Sequence, residues 1–442
     1  MKRTILTLAV LAGLVSAANA QLSFSLKEAQ DYAVKNSFNS QKAQLDVEAA
    51  KSKIRETTAI GLPQINAEGG YTDQVVIPST VFPLSAFGGP DGVYQRAQMG
   101  LRHNVSASVT ASQLIFSGSY IVGLQAARAY AELAGEQKIK SDVQVRQDVA
   151  SAYFLVIAAQ ENIQTLAQSA ATLEKTYEQT KALYENGLAE EQSADQLRIS
   201  LNNLKNMLEN AQLVAEQVTG LLKFQMGLPQ TTGVILTDNA ETLNQQSAGD
   251  LIETINDPTI TIEYKLAQTG LRMQELNLKN KRAGYLPTLS MFASQQANYF
   301  APKYDFLNQR RFYPGTIIGL KLTVPIFSSG MKHQQVVQAK LDLNKAKIQE
   351  TQAREGIVLD QQNARNNYKF QLKNFDNQKE NLELAEKIKH KTLIKFQEGI
   401  ASSFDVAQSE RQYLEAQGSY IQALVNMLNA QVAFQKAFNK LN

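Results

Sequence analysis

Three histidines, His103, His333 and His390, are the residues of this 442-residue chain best suited to hold a metal or move a proton near neutral pH. They are scattered, and none has a second ligand at the spacing a metal site needs. The sequence contains no cysteine, so thiolate sites and disulfides are ruled out and no lipidated cysteine is expected. It has no phosphate-binding glycine loop, nucleophile elbow or HExxH pair. Asp and Glu are common, but they alternate with Lys along helical stretches, which is the pattern of a solvated face. The expectation is therefore no enzyme activity, no metal and no cofactor. What the sequence does repeat is a turn. "YENGLAEEQSADQLRIS" runs over 184–200 and "FQEGIASSFDVAQSERQ" over 396–412. In each, an aromatic precedes a glycine by three residues, an aliphatic follows it, and a polar stretch opens a long heptad run. Gly187 with Leu188 and Gly399 with Ile400 are thus equivalent positions, 212 residues apart.

The elements that carry these turns are long helices. All ten prolines fall within 63–90, 229–258, 287–302 and 314–325, leaving 118–228 and 326–442 free of helix breakers. Leu197, Leu201, Leu204, Leu208, Ala211, Ala215, Val218 and Leu222 recur at steps of four and three. Adding 212 gives Ser409, Tyr413, Ala416, Tyr420, Ala423, Met427, Ala430 and Phe434, the same seam apart from its first position. A sustained 3.5-residue period predicts coiled-coil packing, and a period of 212 marks duplication of a whole half. A helix over 118–186 would span about 100 Å. A separate helix over 26–60 would lie end to end with the return helix that stops near Gly227.

The proline-containing stretches have a different period. Over 101–111 the odd positions read Leu, His, Val, Ala, Val, Ala and the even ones Arg, Asn, Ser, Ser, Thr, which predicts a strand with one apolar and one small polar face. Ile318, Leu320, Leu322, Val324 and Ile326 repeat the pattern in the second half, and weaker partners precede each at 64–77 and 288–298. An apolar exterior, a polar interior and a length near ten residues describe a transmembrane strand. Four strands cannot close alone, and open edges in hydrocarbon cost several kcal/mol per unpaired group, so several chains would have to pool their strands. Aromatics near the loops (Tyr71, Tyr94, Tyr299, Phe300, Phe312, Tyr313) favour a membrane interface. The competing reading is a periplasmic coiled-coil structural protein with a water-exposed β-cap and no channel.

The domain plan follows. Residues 1–20 read as a secretory signal peptide, with Lys2 and Arg3, an apolar 5–15 and Ala18-Asn19-Ala20 as cleavage site. Its loss lowers the net charge from +3 to +1, which gives no electrostatic argument for nucleic acid. A first repeat covers 21–228, with a strand hairpin at 62–117, a long helix at 118–186, a tip turn at 187–192 and a return helix to 227. A polar, Pro-containing linker covers 229–259. The second repeat covers 260–442, with a hairpin at 286–327, a long helix at 328–397, a tip turn at 398–403 and a return helix at 404–438.

With its duplicated halves, "LP" at 62–63 and 286–287, "IFS" at 115–117 and 326–328, and the two Gly-Leu and Gly-Ile turns, the chain resembles the TolC-type outer-membrane efflux proteins. The resemblance covers essentially the whole mature sequence. It implies a mainly α protein with membrane β: a homotrimer whose twelve-stranded barrel, four strands per chain, sits in the outer membrane. That barrel would be continued by a long periplasmic α-helical coiled-coil barrel, with 229–259 at an equatorial collar. It implies a passive exit duct in the bacterial outer membrane for drugs or secreted proteins, without a lipid anchor. The duct would be served by a periplasmic adaptor and an inner-membrane transporter of the RND, ABC or MFS type. On this resemblance Gly187, Leu188, Gly399 and Ile400 are adaptor-contacting tips. Asp405 corresponds to an aspartate at the narrowest periplasmic constriction, where a trimer would form a carboxylate ring; it also stands where it could cap a helix with Ser402. The family's second aspartate is Gln408 here. The tyrosine, arginine and aspartate that latch the tips of the best-known member correspond to Phe396, Ala401 and Ser193, so that hydrogen-bonded latch cannot form as such.

Overall fold

The computed structural model describes residues 22–247, 257–304 and 312–441. The signal-peptide reading of 1–20 and part of the 229–259 linker lie outside the described residues. Contacts divide the chain into two compact units, one drawing on 22–48, 133–269 and 348–441 and the other on 49–132 and 270–347.

In chain order the elements begin with β1 (Leu22–Phe24), α1 (Leu26–Asn36), α2 (Phe38–Ala59), β2 (Gln64–Asp73), β3 (Ser79–Pro83), β4 (Tyr94–Gln98) and β5 (His103–Ser117). Then come α3 (Gly118–Glu185), α4 (Glu191–Met226), β6 (Val234–Leu236), α5 (Ala240–Ser247) and α6 (Ile262–Ala283). The chain closes with β7 (Thr288–Ala301), β8 (Tyr313–Thr323), α7 (Met331–Gln397) and α8 (Ser403–Ala437). Among the described residues no helix is long and apolar enough to cross a membrane.

The sheet unit holds a four-stranded antiparallel sheet in the order β2–β5–β7–β8. The two halves meet at its centre, where Ala107 faces Ala297 and Ser108 faces Gln296 across β5 and β7. Register sorts most of the side chains by polarity, because opposed residues share a face. One face carries Ile65 and Ala67, then Val105, Ala107, Val109 and Ala111, then Met291 and Ala293, then Ile318, Leu320 and Leu322. The other carries Asn66 and Glu68, Ser106, Ser108, Thr110 and Ser112, Ser290, Ser294 and Gln296, and Lys321. Gln113, Gln295 and Thr316 fall on the mainly apolar face, and Phe292 and Ile317 on the mainly polar one. Thr110 and Ser294 exchange a hydroxyl hydrogen bond of 2.9 Å on the polar face. A bulge between Leu114 and Phe116 accompanies the end of β5, where Gly118 opens α3. A Cβ on Gly118 would come within 2.6 Å of Leu286 Cδ1 and 3.2 Å of the Ala283 carbonyl oxygen, so a larger residue at this strand-to-helix corner would have to displace the Leu286 side chain. β8 ends at Thr323, short of the alternation read through Ile326, and Ile326 and Phe327 are exposed.

The helical unit is organised around the middle of α3. Val149, Ala152, Tyr153 and Val156 pack with Met427, Ala430 and Phe434 of α8, with Tyr368 and Phe375 of α7, and with Leu222 and Met226 of α4. The heptad residues Leu197, Leu201, Leu204, Ala211 and Leu222 are all buried, as are Ala423, Met427, Ala430 and Phe434. The parallel pair β1–β6 is tied to this core through Tyr153. Its hydroxyl donates to the Phe24 carbonyl (3.0 Å) and lies 3.0 Å from Asp238 Oδ2, which accepts from the Leu26 amide at 2.7 Å. Burial pushes the Tyr153 phenol well above its ordinary pKa, so it remains a donor.

One expectation needs correction. The helix read over 26–60 is two helices, because Ser37 leaves the helical region at φ −64°, ψ 147° and its hydroxyl caps the second by accepting from the Ser40 amide. The break has a tertiary cause. Gly227, in the left-handed conformation at φ 75°, ends α4 directly against it, and a Cβ there would sit 2.3 Å from the Asn36 carbonyl oxygen.

Candidate functional site

The two turns are superimposable in chemistry. Helix α3 ends with Gly187 at φ 74° and α7 with Gly399 at φ 71°, the left-handed conformation that an L side chain resists. In the first turn the Gly187 amide donates to the Tyr184 carbonyl (2.8 Å) and Leu188 to Leu183 (2.8 Å). In the second, Gly399 donates to Phe396 (3.0 Å) and Ile400 to Lys395 (2.8 Å). This pair of reverse bonds, from C″ to C3 and from C′ to C2, satisfies carbonyls that a helix end leaves open. Both turns then hold an aliphatic side chain out in water, with Leu188 and Ile400 each 75% exposed. An apolar residue after the glycine commonly accompanies this kind of helix end, and here it stands exposed at both turns.

The caps that follow differ. At the second turn Ser402 and Asp405 form a reciprocal capping box: the Asp405 amide donates to Ser402 Oγ (3.2 Å), and Asp405 Oδ2 accepts from the Ser402 amide (2.8 Å) and hydroxyl (2.7 Å). Those bonds hold the exposed Asp405 carboxyl below its usual pKa. At the first turn Glu190 occupies the cap position and makes no side-chain cap bond. Ser193, the positional counterpart of Asp405, donates its amide to the Glu190 carbonyl at 3.1 Å. Of the remaining residues singled out, Phe396 packs on the small core formed by Leu166, Leu173, Leu197, Leu201 and Val406. Gln408 bonds to Arg411 one turn on, and Ala401 is half-buried beside the turn.

Behind the turns lies a network that the sequence did not announce. Lys389 of α7 donates to Glu410 Oε1 of α8 (3.0 Å) and to Ser169 Oγ of α3 (2.9 Å), and its ammonium sits 4.0 Å from the Tyr413 ring centre. Both charges are largely withdrawn from water, with Lys389 and Glu410 side chains 18% and 9% exposed. Nothing in "KIKHKTLIK" distinguishes Lys389 from its neighbouring lysines, so only the packing identifies it. Closer to the turns, Ser403 donates to Gln196 at 2.9 Å, joining α8 to α4. Between these helices runs a groove of about 530 Å³ lined by Leu173, Ile199, Met207, Phe404, Arg411 and Leu414 among others. No cluster of His, Asp and Glu able to hold a metal ion exists among the described residues.

The chain matches the model of the outer membrane efflux protein family over residues 30–222 and 266–440, one block in each half. It belongs to that family. Relatives include the probable efflux pump outer membrane protein TtgC of Pseudomonas putida, 24% identical over 410 residues, covering 89% of this chain and 78% of that protein. The outer membrane protein TolC of Escherichia coli is 23% identical over 426 residues, covering 91% and 79%. Among solved structures, the outer membrane protein VceC of Vibrio cholerae has a TM-score of 0.67 at 15% identity, covering 93% of this chain and 95% of that one. The open state of the Neisseria gonorrhoeae MtrE outer membrane channel has a TM-score of 0.68 at 16% identity, covering 94% and 89%. For this efflux-family chain the two matched blocks bracket the two turns, and the unmatched 223–265 contains β6 and α5.

Proposed function

We propose that three copies of this chain form an outer-membrane exit duct for a tripartite efflux or type I secretion system. One observation carries the proposal: a four-stranded sheet whose apolar face lies open to solvent, and whose edge strands have no further strand beside them among the described residues. Ile65, Ile318, Leu320 and Leu322 are each more than 60% exposed, and such a face is stable only if lipid covers it. Edges β2 and β8 then need partners, which sister copies supply, and three copies give twelve strands. The helices support the same association. On α7, Ile348, Leu359, Phe370, Leu384 and Ile388 are exposed and fall within about 40° of one another at 100° per residue. On α4, Ile199, Leu213, Leu221 and Phe224 make a second exposed stripe. Matching the α7 stripe of one copy to the α4 stripe of the next is a heterologous contact that closes a ring. The polar sheet face lines the conduit, and transport is passive.

In this reading the helical parts stand in the periplasm, with 229–259 at a collar. Leu188 and Ile400 are the anchors for a periplasmic adaptor, held out by Gly187 and Gly399, and the adaptor links the duct to an inner-membrane transporter. Asp405 contributes to a constriction together with Gln408, Ser193, Phe396 and Ala401, and closure there rests on packing. Relatives named as efflux-pump and outer-membrane proteins support this reading. The test is biochemical. Membranes should release the protein only with detergent, native mass spectrometry should give a trimer, and planar bilayers should conduct. Release by high salt as a water-soluble monomer would overturn the proposal in favour of a periplasmic rod with a β-cap.

A further inference from the structure

The loop between β2 and β5 contains structure of its own. It leaves the sheet at the end opposite α2 and α3, because α2 leads into the start of β2 and α3 follows the end of β5. Within it β3 and β4 pair, among the described residues, only with each other, Val81 opposite Arg96 and Phe82 opposite Gln95. A short 3-10 turn, Leu84–Phe87, follows β3. Phe82 and Phe87 meet edge to face at 6.3 Å. The rest of its apolar surface is in water: Phe87 is 81% exposed, and Val81 and Tyr94 are 58% and 67% exposed. Two strands alone are marginal in water, and among the described residues no further strand pairs with either outer edge of this pair.

We propose that the β3–β4 hairpin docks on the same hairpin of sister copies and closes the outer mouth of the barrel, a second closure at the end remote from the helix turns. The inference rests on the trimeric reading above. Three observations select a second copy as the occupant. The hairpin carries one acid, Asp91, and one base, Arg96, so it is self-complementary in charge, whereas an anionic lipid surface calls for several Lys or Arg. Its outer edges offer backbone donors and acceptors that another strand matches. Its reach also fits. Twelve tilted strands make a barrel of about 12 Å radius, and a five-residue strand spans about 17 Å, enough to bring three hairpins to the axis.

The absence of cysteine makes the test clean, since any introduced thiol is unique. Ser108→Cys places a reporter on the polar face of β5. In intact cells a maleimide on a bulky polyethylene glycol, added outside, should label it slowly. Adding Phe87→Asp or Val81→Asp, both at exposed positions, should make labelling about tenfold faster by repelling the hairpins. Phe87→Cys alone should yield disulfide-linked dimers under mild oxidation, while Ile318→Cys on the apolar sheet face should not. Equal labelling of Ser108→Cys with and without the acidic substitutions, in a protein still trimeric by native mass spectrometry, overturns the closure and leaves the duct intact. A monomer in that measurement overturns both.

Discussion

Lys389 offers the sharpest check on how the turns are held. Lys389→Met keeps the length of the side chain and removes its charge, which strands Glu410 at 9% exposure with its nearest cation gone. The substitution also removes the bond to Ser169 and the stacking over Tyr413. Removing one partner of a buried pair costs about 3–5 kcal/mol, most of it the uncompensated charge left behind. Local opening of α7 and α8 beside the turns should therefore become easier by that amount. Amide hydrogen exchange over 385–415 in the detergent-solubilised protein should accelerate by roughly a hundredfold or more, with 1.4 kcal/mol per decade. The double variant Lys389→Met/Glu410→Met removes both charges, and apolar replacement of a buried pair is near neutral. Most of the protection should return in it. Exchange in Lys389→Met within about threefold of the parent, or a double variant as fast as the single, would refute the claim that this pair pins α7 and α8 to α3.

Three further outcomes follow from the same geometry. Gly227→Ala should lower the thermal midpoint far more than Gly187→Ala: both positions need positive φ, but only at Gly227 does a Cβ collide with backbone, 2.3 Å from the Asn36 oxygen, while nothing lies within 4 Å at Gly187. The left-handed conformation alone costs about 1–2 kcal/mol. Asp405 has a folded pKa below its ordinary value near 3.8, so its contribution to α8 is present above that value and fades as pH falls through the folded one. Protection of the first α8 amides, corrected for intrinsic exchange, should drop below about pH 4 in the parent, and Asp405→Asn should flatten that dependence; a parent already flat there would discard the box. Leu188→Asp with Ile400→Asp should abolish efflux-dependent drug resistance at unchanged protein level in the outer membrane, and full resistance would remove the turns from partner binding.

Much of the fold was legible because it is periodic. Where a residue's burial depends on its own helix or strand, as at Leu197, Leu204, Met427 and Phe434, spacing predicts it. The alternation over 101–111 likewise gave a sheet face that the β2–β5 and β5–β7 registers reproduce. The break at Ser37 was not legible, because "NSFNS" carries no proline or glycine and the cause is Gly227, 190 residues away. Strand order was hidden for a related reason: pairing β5 with β7 is a contact between halves that neither half encodes alone. The β3–β4 hairpin lies in a stretch of Gly, Pro and aromatics whose alternation lasts only five residues, too short for periodicity to register. Asp405 was readable as a cap from Ser402 three residues earlier, a local signal. Lys389 had none, since ammonium burial depends on three other helical positions.

The duplication explains why the two turns agree where they do and differ elsewhere. Both turns keep positive φ at the glycine and an exposed aliphatic at the next residue, at 187–188 and 399–400. The residues just behind face sister helices of the same chain, and there the halves have parted. Ser402 and Asp405 cap α8 by their side chains, and Lys389 holds α7 and α8 onto α3, all on the second turn's side. The first turn has a plain Glu190 cap and, between α3 and α4, the exposed pair Lys205–Glu174, of a kind worth little in water. One hairpin is thus fixed by buried polar bonds and the other chiefly by its apolar seam. On the proposed adaptor docking, a partner that grips both exposed aliphatics meets a firmer support at the second turn than at the first. A duplicated chain gains that asymmetry by diverging where a homo-oligomer of single hairpins could not.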